Sequence, residues 1–486
     1  MRPVFAIVHV LGSLLMLFGA AFLAPILAGL VFAEPLAVRG FAFTGVLTLA
    51  TGALLTLATR RFREELKARN GYLLVTLGWL LVAGAGAMPL MVVLPTLGFT
   101  GAYFEAMSGL TTTGSTVLSG IDQLPHAVNL WRCLLHWLGG LGVIVMAVAV
   151  LPLLGVGGMQ VYRADTPGAV KDARLTPRIT QTARLLGIVY CVLTAVCVGA
   201  LALAGMPGFD ALCHGLSVIS LGGFSTHDAN IAWFHSGRVE AVMTLCMLLA
   251  AVNFSTHFAA LRRGDLSVYG RDAEARWMVT WIAVGIAMLA IVTYANGVFP
   301  SFGESFRRVA FSLVAAATTS GFTTVDYSAW PLFAPMWMLF MSCVASSTGS
   351  TGGGIKVFRA LVLIKQSFRE MFVLVHPQAV SPLKISGSVI PNRVVYSVLA
   401  FIFVYFMAIV VLTFALLASN LDFITAFSAV IASINNTGPG LGLVGPTHTY
   451  GVLNEFQQWI CTAAMFLGRV ELFTALVLFT PTFWRK

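Results

Sequence analysis

Long apolar stretches alternate with short polar connections along the whole chain, and this pattern predicts helices that cross a lipid bilayer. A hydrocarbon core about 30 Å thick needs roughly 20 apolar residues per helix. The first stretch is too long for the hydrophobic part of a signal peptide, so we expect it to be retained as a span. The predicted spans are Val4–Phe32, Ala37–Thr59, Tyr72–Leu94, Val128–Leu153, Ala183–Gly205, Val239–Leu261, Trp277–Phe299, Leu332–Ile364, Val394–Ala418 and Phe456–Thr480.

Four shorter, semi-polar stretches lie between alternate pairs of spans. Their apolar cores are about 10–15 residues long, which is enough for a re-entrant helix but too short to cross the bilayer. Each one continues into an uncharged polar segment that contains glycine. The four stretches are Gly101–Thr113, Phe209–Leu221, Phe302–Thr319 and Asp422–Asn436.

The glycine-containing segments repeat along the chain. Aligned on Gly114, Gly223, Gly321 and Gly438, they are separated by 109, 98 and 117 residues, about the length of one helix–pore loop–helix unit. We therefore predict an all-α integral membrane fold with four such repeats around a pseudo-fourfold pore, preceded by a two-helix hairpin. The predicted divisions are 1–70 for the N-terminal hairpin, 71–165 for repeat 1, 166–270 for repeat 2, 271–385 for repeat 3 with its interrupted second helix, and 386–486 for repeat 4.

Composition and charge agree with this pattern and set its orientation. The chain is 58% hydrophobic and only 10% charged, which leaves no room for a sizeable soluble domain. The net charge is +10, and 23 of the 29 basic residues fall on the side of the membrane that holds the N-terminus. The positive-inside rule predicts that both termini are cytoplasmic and that the repeats run parallel. The basic excess is therefore interpreted as a topology signal and not as a nucleic-acid surface.

The loops have the composition of a cation pathway. Irregular backbone at membrane depth is tolerated only where protein or water surrounds it. Glycine lets such backbone turn its carbonyl oxygens toward a common axis, where they can replace the hydration shell of a monovalent cation. The preceding helices direct their partially negative ends at the same place. Ten acidic residues in the external and re-entrant segments, Glu105 among them, face five basic ones and are expected to concentrate cations at the mouth.

The four loops resemble the selectivity filters of the Trk/Ktr/HKT superfamily of potassium transporters. The segments 435–442 and 350–356 resemble the bacterial TrkH-type membrane subunit in particular, as does the N-terminal hairpin. The resemblance implies a K⁺ filter formed by the glycine and the two residues before it in each loop. These residues are Thr112, Thr113, Gly114, Leu221, Gly222, Gly223, Thr319, Ser320, Gly321, Asn436, Thr437 and Gly438.

The same resemblance implies partners and a location. It implies a homodimer in the bacterial cytoplasmic membrane and a cytoplasmic TrkA-type ring that binds nucleotide, while this chain carries K⁺ as transported ion and no cofactor. A sodium-permeable relative would typically have serine at the position of Gly114, so Gly114 favours potassium. The loops differ at Leu221 and Asn436, which argues against identical fourfold geometry.

Two other functions stay open at this stage. One is a sodium-permeable transporter of the same fold, and the other is a polytopic membrane enzyme. The sequence contains no HExxH, GxSxG or Walker A motif, so we predict that the chain is not an enzyme. Whether transport is passive or a proton-coupled symport does not follow from the sequence.

A run of nine small residues interrupts the predicted span Leu332–Ile364 and is the first candidate gate. Each glycine costs a helix about 1 kcal/mol relative to alanine, so we expect an irregular flap below the filter. Close helix packing through small residues is the alternative. The resemblance implies an intramembrane gating loop here. Its residues are Ser346, Ser347, Thr348, Gly349, Ser350, Thr351, Gly352, Gly353 and Gly354.

Arg469, near the middle of the span Phe456–Thr480, is the second candidate gate. A charge at that depth costs about 2.5–3.5 kcal/mol, so we expect it to face the pore and repel cations. The alternative is a structural ion pair, although Glu471 lies only two residues away and so points elsewhere on a helix. Lys356 directly follows the flap and is a weak candidate, since a lysine there is ordinarily an interface anchor.

Overall fold

The structure, a computed structural model, describes residues 2–62, 68–149, 175–385 and 388–485. Within these ranges the protein is mostly helical. Seven helices are long and apolar enough to cross a membrane, or nine if each of two sharply bent pairs is one span. This all-α membrane architecture confirms the predicted fold class.

The N-terminal hairpin consists of α1 (Arg2–Ala20), α2 (Leu23–Val31) and α3 (Pro35–Ala58). The first two helices form one apolar stretch, and α3 returns beside them. Buried apolar side chains of the hairpin, among them Phe22 and Phe41, pack on Trp131 from the first repeat. The hairpin therefore braces repeat 1 from outside.

The remaining helices follow the order predicted for four repeats. Repeat 1 holds α4 (Ala68–Val93), α5 (Gly98–Leu110) and α6 (His126–Ala149). Repeat 2 holds α7 (Leu175–Leu203), α8 (Gly208–Ile219), α9 (Gly237–Ala251) and α10 (Phe254–Arg263). The short helix α11 (Ser267–Arg271) lies at the junction of repeats 2 and 3, and repeat 3 then holds α12 (Ala273–Ala295), α13 (Phe302–Ala317), α14 (Phe333–Val344) and α15 (Val357–Val375). The strands β1 (Lys384–Ile385) and β2 (Ser388–Val389) lie at the junction of repeats 3 and 4, and repeat 4 then holds α16 (Asn392–Leu417), α17 (Phe423–Ile434), α18 (Glu455–Arg469), α19 (Leu472–Leu476) and α20 (Pro481–Trp484). Single 3₁₀ turns lie at Arg60–Phe62, Pro95–Leu97, Ile121–Gln123, Asn230–Phe234, Tyr327–Ala329, Gly442–Val444, Tyr450–Val452 and Val477–Phe479.

Polar caps fix where several of these helices begin. The side chains of Asp272, Ser301 and Asp422 accept hydrogen bonds from backbone amides in the first turns of α12, α13 and α17. Asn454 forms a reciprocal capping box with Gln457 at the start of α18. Such caps satisfy amides that have no partner within the helix.

Two predicted spans are not continuous, contrary to expectation. The predicted span Val239–Leu261 bends by 96° between α9 and α10, because Val252 is extended and Asn253 caps a new helix. The predicted span Phe456–Thr480 bends by 109° after Arg469, where Glu471 has a φ of 59°. Neither break carries glycine or proline, so the usual helix-breaking signals are missing.

The interruption predicted within Leu332–Ile364 is confirmed, because α14 ends at Val344 and α15 begins at Val357. The end of the predicted span Val128–Leu153 and the division between residues 165 and 166 lie outside the described residues. The other divisions remain predictions.

Candidate functional site

The four re-entrant helices α5, α8, α13 and α17 all end in the same hydrogen-bonded turn. In the first, Thr112 is left-handed with φ of 51°, and the amide of Thr113 donates to the carbonyl of Ser108 at 2.9 Å. This Schellman arrangement ends the helix and turns the chain away from its axis. The equivalent left-handed residues are Leu221, Thr319 and Asn436, and the equivalent bonds join Gly222 to Ser217, Ser320 to Ala315 and Thr437 to Ala432.

The predicted filter glycines come two residues later, and each has a positive φ. The values are 82° for Gly114, 84° for Gly223, 70° for Gly321 and 95° for Gly438. Only glycine takes this conformation without steric cost, so the four loops share one backbone path that requires glycine at one place.

The loops interlock in a closed circuit. A Cβ atom on Gly114 would collide with the carbonyl oxygen of Gly222 in the second loop. The same holds between Gly223 and Ser320, between Gly321 and Thr437, and, at 2.7 Å, between Gly438 and Thr113. Every obstructing carbonyl belongs to the residue before the next glycine, and the fourth loop returns to the first. This is the arrangement expected of four loops around one axis.

A buried ion pair supports the first loop. Arg132 on α6 donates from Nε to Glu105 on α5 at 2.7 Å, and Glu105 also accepts from the hydroxyl of Thr116 and the amide of Val117. Arg132 reaches on to the carbonyl of Ser225 in the second loop at 3.0 Å. Because Glu105 is 0% exposed and paired, its expected contribution to the charge of the mouth is wrong.

Two side chains from other loops bind carbonyl oxygens of the predicted filter glycines. The hydroxyl of Tyr450 donates to Gly438 at 2.9 Å, while its amide donates to Thr116 of the first loop at 2.8 Å. The side chain of Asn230 donates to the carbonyl of Gly223 at 3.4 Å. Sequence reasoning missed both residues, since nothing in a polar surface loop distinguishes them.

All four predicted filter glycines line one open cavity, called here the outer cavity. His227 lies at its edge and contacts Asp122 of repeat 1 at 2.5 Å and Asp210 of α8 at 3.5 Å. Partial burial alone would lower the pKa of His227, but its hydrogen bonds to Asp210 and Asp122 and their charges outweigh burial and raise the pKa. The cluster joins the outer ends of repeats 1 and 2.

A second, smaller cavity, called here the lower cavity, lies on the other side of the predicted filter. We define the flap as residues 346–354, and most of its residues line this cavity. One residue of the predicted filter and several charged residues complete the wall. The side chains of Asn436, Lys356, Arg359, Arg469 and Glu471 line it.

The flap is irregular, as predicted, and it contacts three repeats directly. Its Thr351 hydroxyl donates to the carbonyl of Ile219 at the end of α8, at 3.0 Å. Its Gly353 amide donates to the hydroxyl of Thr319 in the third predicted filter loop, at 2.9 Å. A Cβ on Gly353 would collide with the carbonyl of Asn435 at the end of α17.

The bend between α9 and α10 holds the other side of the flap. The amide of Ser347 donates to Ala251 and the amide of Phe254 donates to Gly349, both at 3.2 Å. The carboxylate of Glu274 accepts from the amide of Thr348 at 2.6 Å. The unpredicted bend thus has a structural role, because it exposes backbone groups that bind the flap.

Arg469 is bonded to the flap, so the two gate candidates are not separate. It is the last residue of α18, 4% exposed, and lies at the bend instead of mid-span. Its guanidinium donates to Thr351 at 2.7 Å and to Gly139 of repeat 1 at 3.3 Å. Among the residues that the structure describes, Glu471 pairs with Arg359 at 2.9 Å, and Arg469 forms no ion pair. This geometry disfavours the ion-pair alternative for Arg469.

Lys356 does not anchor the chain at the membrane interface, so that interpretation is wrong. Its ammonium group donates to the carbonyl of Gly352 at 2.6 Å and lies 3.4 Å from those of Ser347 and Ser350. The side chain folds back onto the flap because the backbone reverses at Lys356, where φ is 71°.

Comparison with known proteins places this geometry in one family. Residues 39–486 match the profile of the family described as TrkH, a cation transport protein. The Trk system potassium uptake protein TrkH of Salmonella typhimurium is 42% identical over 482 residues, covering 99% of each chain. The Trk system potassium uptake protein TrkG of Escherichia coli is 37% identical over 482 residues, with 99% of this chain and 98% of that protein covered.

A solved structure shows the same fold. The crystal structure of the potassium transporter TrkH from Vibrio parahaemolyticus superposes with a TM-score of 0.92 at 40% sequence identity, and 99% of each chain is covered. These relatives are named as transporters and not as enzymes. With its fold and whole length matched, the chain belongs to the TrkH family of cation transport proteins.

Proposed function

We propose that this protein takes up potassium across the bacterial cytoplasmic membrane as the multi-pass membrane component of a Trk system. Relatives that match its full length carry that function in their names. The observation that carries the proposal is the closed circuit of the four glycine loops. Four helix ends and four sets of carbonyl dipoles converge there, and such dipoles suit a monovalent cation.

The filter is formed by the glycine and the two preceding residues of each loop, with K⁺ as its only ligand. Carbonyl dipoles supply the negative potential, because Glu105, a buried carboxylate behind the first loop, is neutralised by Arg132. The loops differ in their supports, since Gly438 and Gly223 bind Tyr450 and Asn230 through their carbonyls. This difference supports a filter with unequal quarters.

Flux in proteoliposomes tests the proposal. The purified protein should take up ⁸⁶Rb⁺, and external K⁺ should compete far better than Na⁺. Equal competition would favour the sodium-permeable alternative, and absence of uptake would contradict transport. Repeating the assay with an imposed pH gradient separates proton-coupled symport from passive flow.

Gly114→Ser tests the assignment of the filter. Its Cβ would collide with the carbonyl of Gly222, so the first and second loops must separate. We expect the preference for K⁺ over Na⁺ to fall, while Gly120→Ser, at an open position in an external loop, should leave it intact. An unchanged ratio in Gly114→Ser would remove Gly114 from the filter.

The flap and Arg469 form the gate. Together they contact groups from all four repeats, and this placement supports an obstruction across the axis below the filter. Deletion of residues 346–353 should therefore raise Rb⁺ flux. If the deletion variant and the wild type showed equal Rb⁺ flux per folded protein, the gating role of the flap would be contradicted.

Regulation, assembly and orientation complete the proposal. The membrane subunit works as a homodimer with a cytoplasmic TrkA-type ring that binds nucleotide, and both termini face the cytoplasm. The distribution of basic residues supports this orientation. Impermeant labelling of a cysteine placed at either terminus, from each side of the membrane, tests the orientation, and crosslinking tests the dimer.

A further inference from the structure

The ammonium group of Lys356 lies among backbone oxygens and not beside a carboxylate. Gly352, Ser347 and Ser350 provide these oxygens, at 2.6, 3.4 and 3.4 Å. Within the described parts of the chain, Lys356 forms no ion pair, since the adjacent Glu471 is bonded to Arg359. Three dipoles from one short segment therefore surround the ammonium group of Lys356 below the filter.

The fold of the flap makes these oxygens converge. The amide and hydroxyl of Ser350 both donate to the carbonyl of Ser347, at 3.3 and 2.6 Å, which closes a tight turn. Gly349 and Gly354 each have a φ of 77°, so the chain reverses on both sides of Ser350 and Gly352. The turn is built by backbone geometry, with glycine at the positions that need it.

The contrast with Arg469 shows what kind of ligand these three carbonyl oxygens suit. The planar guanidinium of Arg469 binds two carbonyls far apart in the chain, from Thr351 and Gly139. Lys356 instead presents a compact, singly charged centre to three oxygens on one segment. Carbonyl oxygens grouped around a point charge are also how a protein replaces the hydration shell of K⁺.

We infer that the carbonyl oxygens of Ser347, Ser350 and Gly352 form a monovalent-cation site, occupied in this structure by the ammonium of Lys356. The ammonium group of Lys356 thus takes the place that K⁺ would occupy in this site. The site opens on the lower cavity, which these residues and Lys356 border. By filling this site, Lys356 holds the flap in its present shape. The importance of that shape for ion flow rests on the proposed gating function.

The surrounding charges limit the ligand to one positive charge. Arg469 binds the adjacent carbonyl of Thr351, and Arg359 is offset by Glu471. Glu274 binds the amide of Thr348 on the far side of the flap. A divalent ion would find no carboxylate among its ligands, whereas K⁺ or NH₄⁺ reproduces the charge already there.

Lys356→Met vacates the site while keeping a side chain of similar length. The thermal stability of purified protein is measured in N-methyl-D-glucamine chloride, KCl and NaCl, for the wild type, Lys356→Met and the control Lys365→Met. Lys365 is an exposed lysine on α15, the helix that begins directly after Lys356, and it donates to the carbonyl of Lys384. All three proteins retain the filter, so its K⁺ binding contributes equally.

In Lys356→Met we expect K⁺ to raise the melting temperature by roughly twice the wild-type amount, because a second site adds its own stabilisation. Lys365→Met should match the wild type. Equal K⁺ shifts in all three proteins would overturn the inference. Should Lys356→Met fail to fold, Lys356→Gln removes the charge but keeps a donor, and the same comparison decides.

The outcome is distinguishable from that of the proposed function. If the wild type transports Rb⁺ and K⁺ gives no added shift in Lys356→Met, the cation site is wrong and potassium uptake stands. If K⁺ gives the added shift but Rb⁺ uptake is absent, the site stands and the proposed function is wrong.

Discussion

Replacing Arg469 with alanine tests whether the bend of the last helix controls ion flow. In the structure the guanidinium ties the flap to repeat 1, through Thr351 at 2.7 Å and Gly139 at 3.3 Å. Both bonds use a charged donor, and Arg469 is 4% exposed, so little water competes for them. The substitution removes the tie and the positive charge together.

The size of the effect follows from these bonds. A hydrogen bond from a charged group contributes about 1.5–3 kcal/mol. Counting only the short bond to Thr351, its loss shifts the balance between blocked and open states by roughly 10- to 150-fold, at 1.4 kcal/mol per factor of ten. Flux should rise by this factor as long as the open state is a minor population, and by less once it dominates.

The assay is initial ⁸⁶Rb⁺ uptake into liposomes, normalised to folded protein. Arg262→Ala, an exposed arginine near the end of α10, is the control and should leave uptake unchanged. Arg469→Lys keeps the charge but not the fork of donors, so a small rise there would assign the barrier mainly to charge. Uptake by Arg469→Ala within twofold of wild type, at normal abundance, would refute the gate. Loss of folded protein without increased flux would support a purely structural role.

Three further predictions concern the outer half of the protein. Tyr450→Phe removes one donor from the carbonyl of Gly438, and we expect a several-fold loss of K⁺ preference in competition assays, with folding intact. Glu105→Gln leaves Arg132 charged and buried, so the free energy of unfolding in mixed detergent–denaturant micelles should fall by about 3–5 kcal/mol. A decrease below about 1 kcal/mol would show that the ion pair is not needed for stability. Because the folded-state pKa of His227 is raised, its stabilisation is full below the unfolded value of about 6.5 and is lost as pH rises through the folded value. The melting temperature should fall in that pH window for wild type, and His227→Gln should flatten this part of the profile.

Repetition in the sequence predicted the parts of the fold that depend on repetition. The glycines at 114, 223, 321 and 438 mark loops that share one backbone path, and the run of small residues at 346–354 marks a true break. The glycines are recognisable because they recur at the same place in each repeat. The run of small residues is recognisable because its glycine content is unfavourable in a straight helix.

The contacts between distant segments could not be predicted in the same way. The bends after Ala251 and Arg469 contain no proline or glycine at the break itself. Tertiary hydrogen bonds to the flap accompany both bends, and such bonds cannot be deduced from local sequence. Lys356 looked like an interface anchor because its sequence position fits one, and only the reversed backbone at that residue directs it inward. Glu105 and Arg132 are 27 residues apart, on helices that the sequence pairs only through the repeat.

The interlocked loops also constrain how the four quarters can vary. A side chain placed at one of these glycines would collide with the carbonyl of the next loop. Each substitution therefore displaces one particular neighbouring loop, and the affected neighbour is always the next one in the same direction around the ring. Compensating changes should therefore appear one loop ahead and not one loop behind, which is a directional form of epistasis. The junction from Gly438 to Thr113 is the widest of the four, at 2.7 Å, so replacement by alanine should be least harmful there. A deep mutational scan would show this asymmetry as a graded tolerance around the ring.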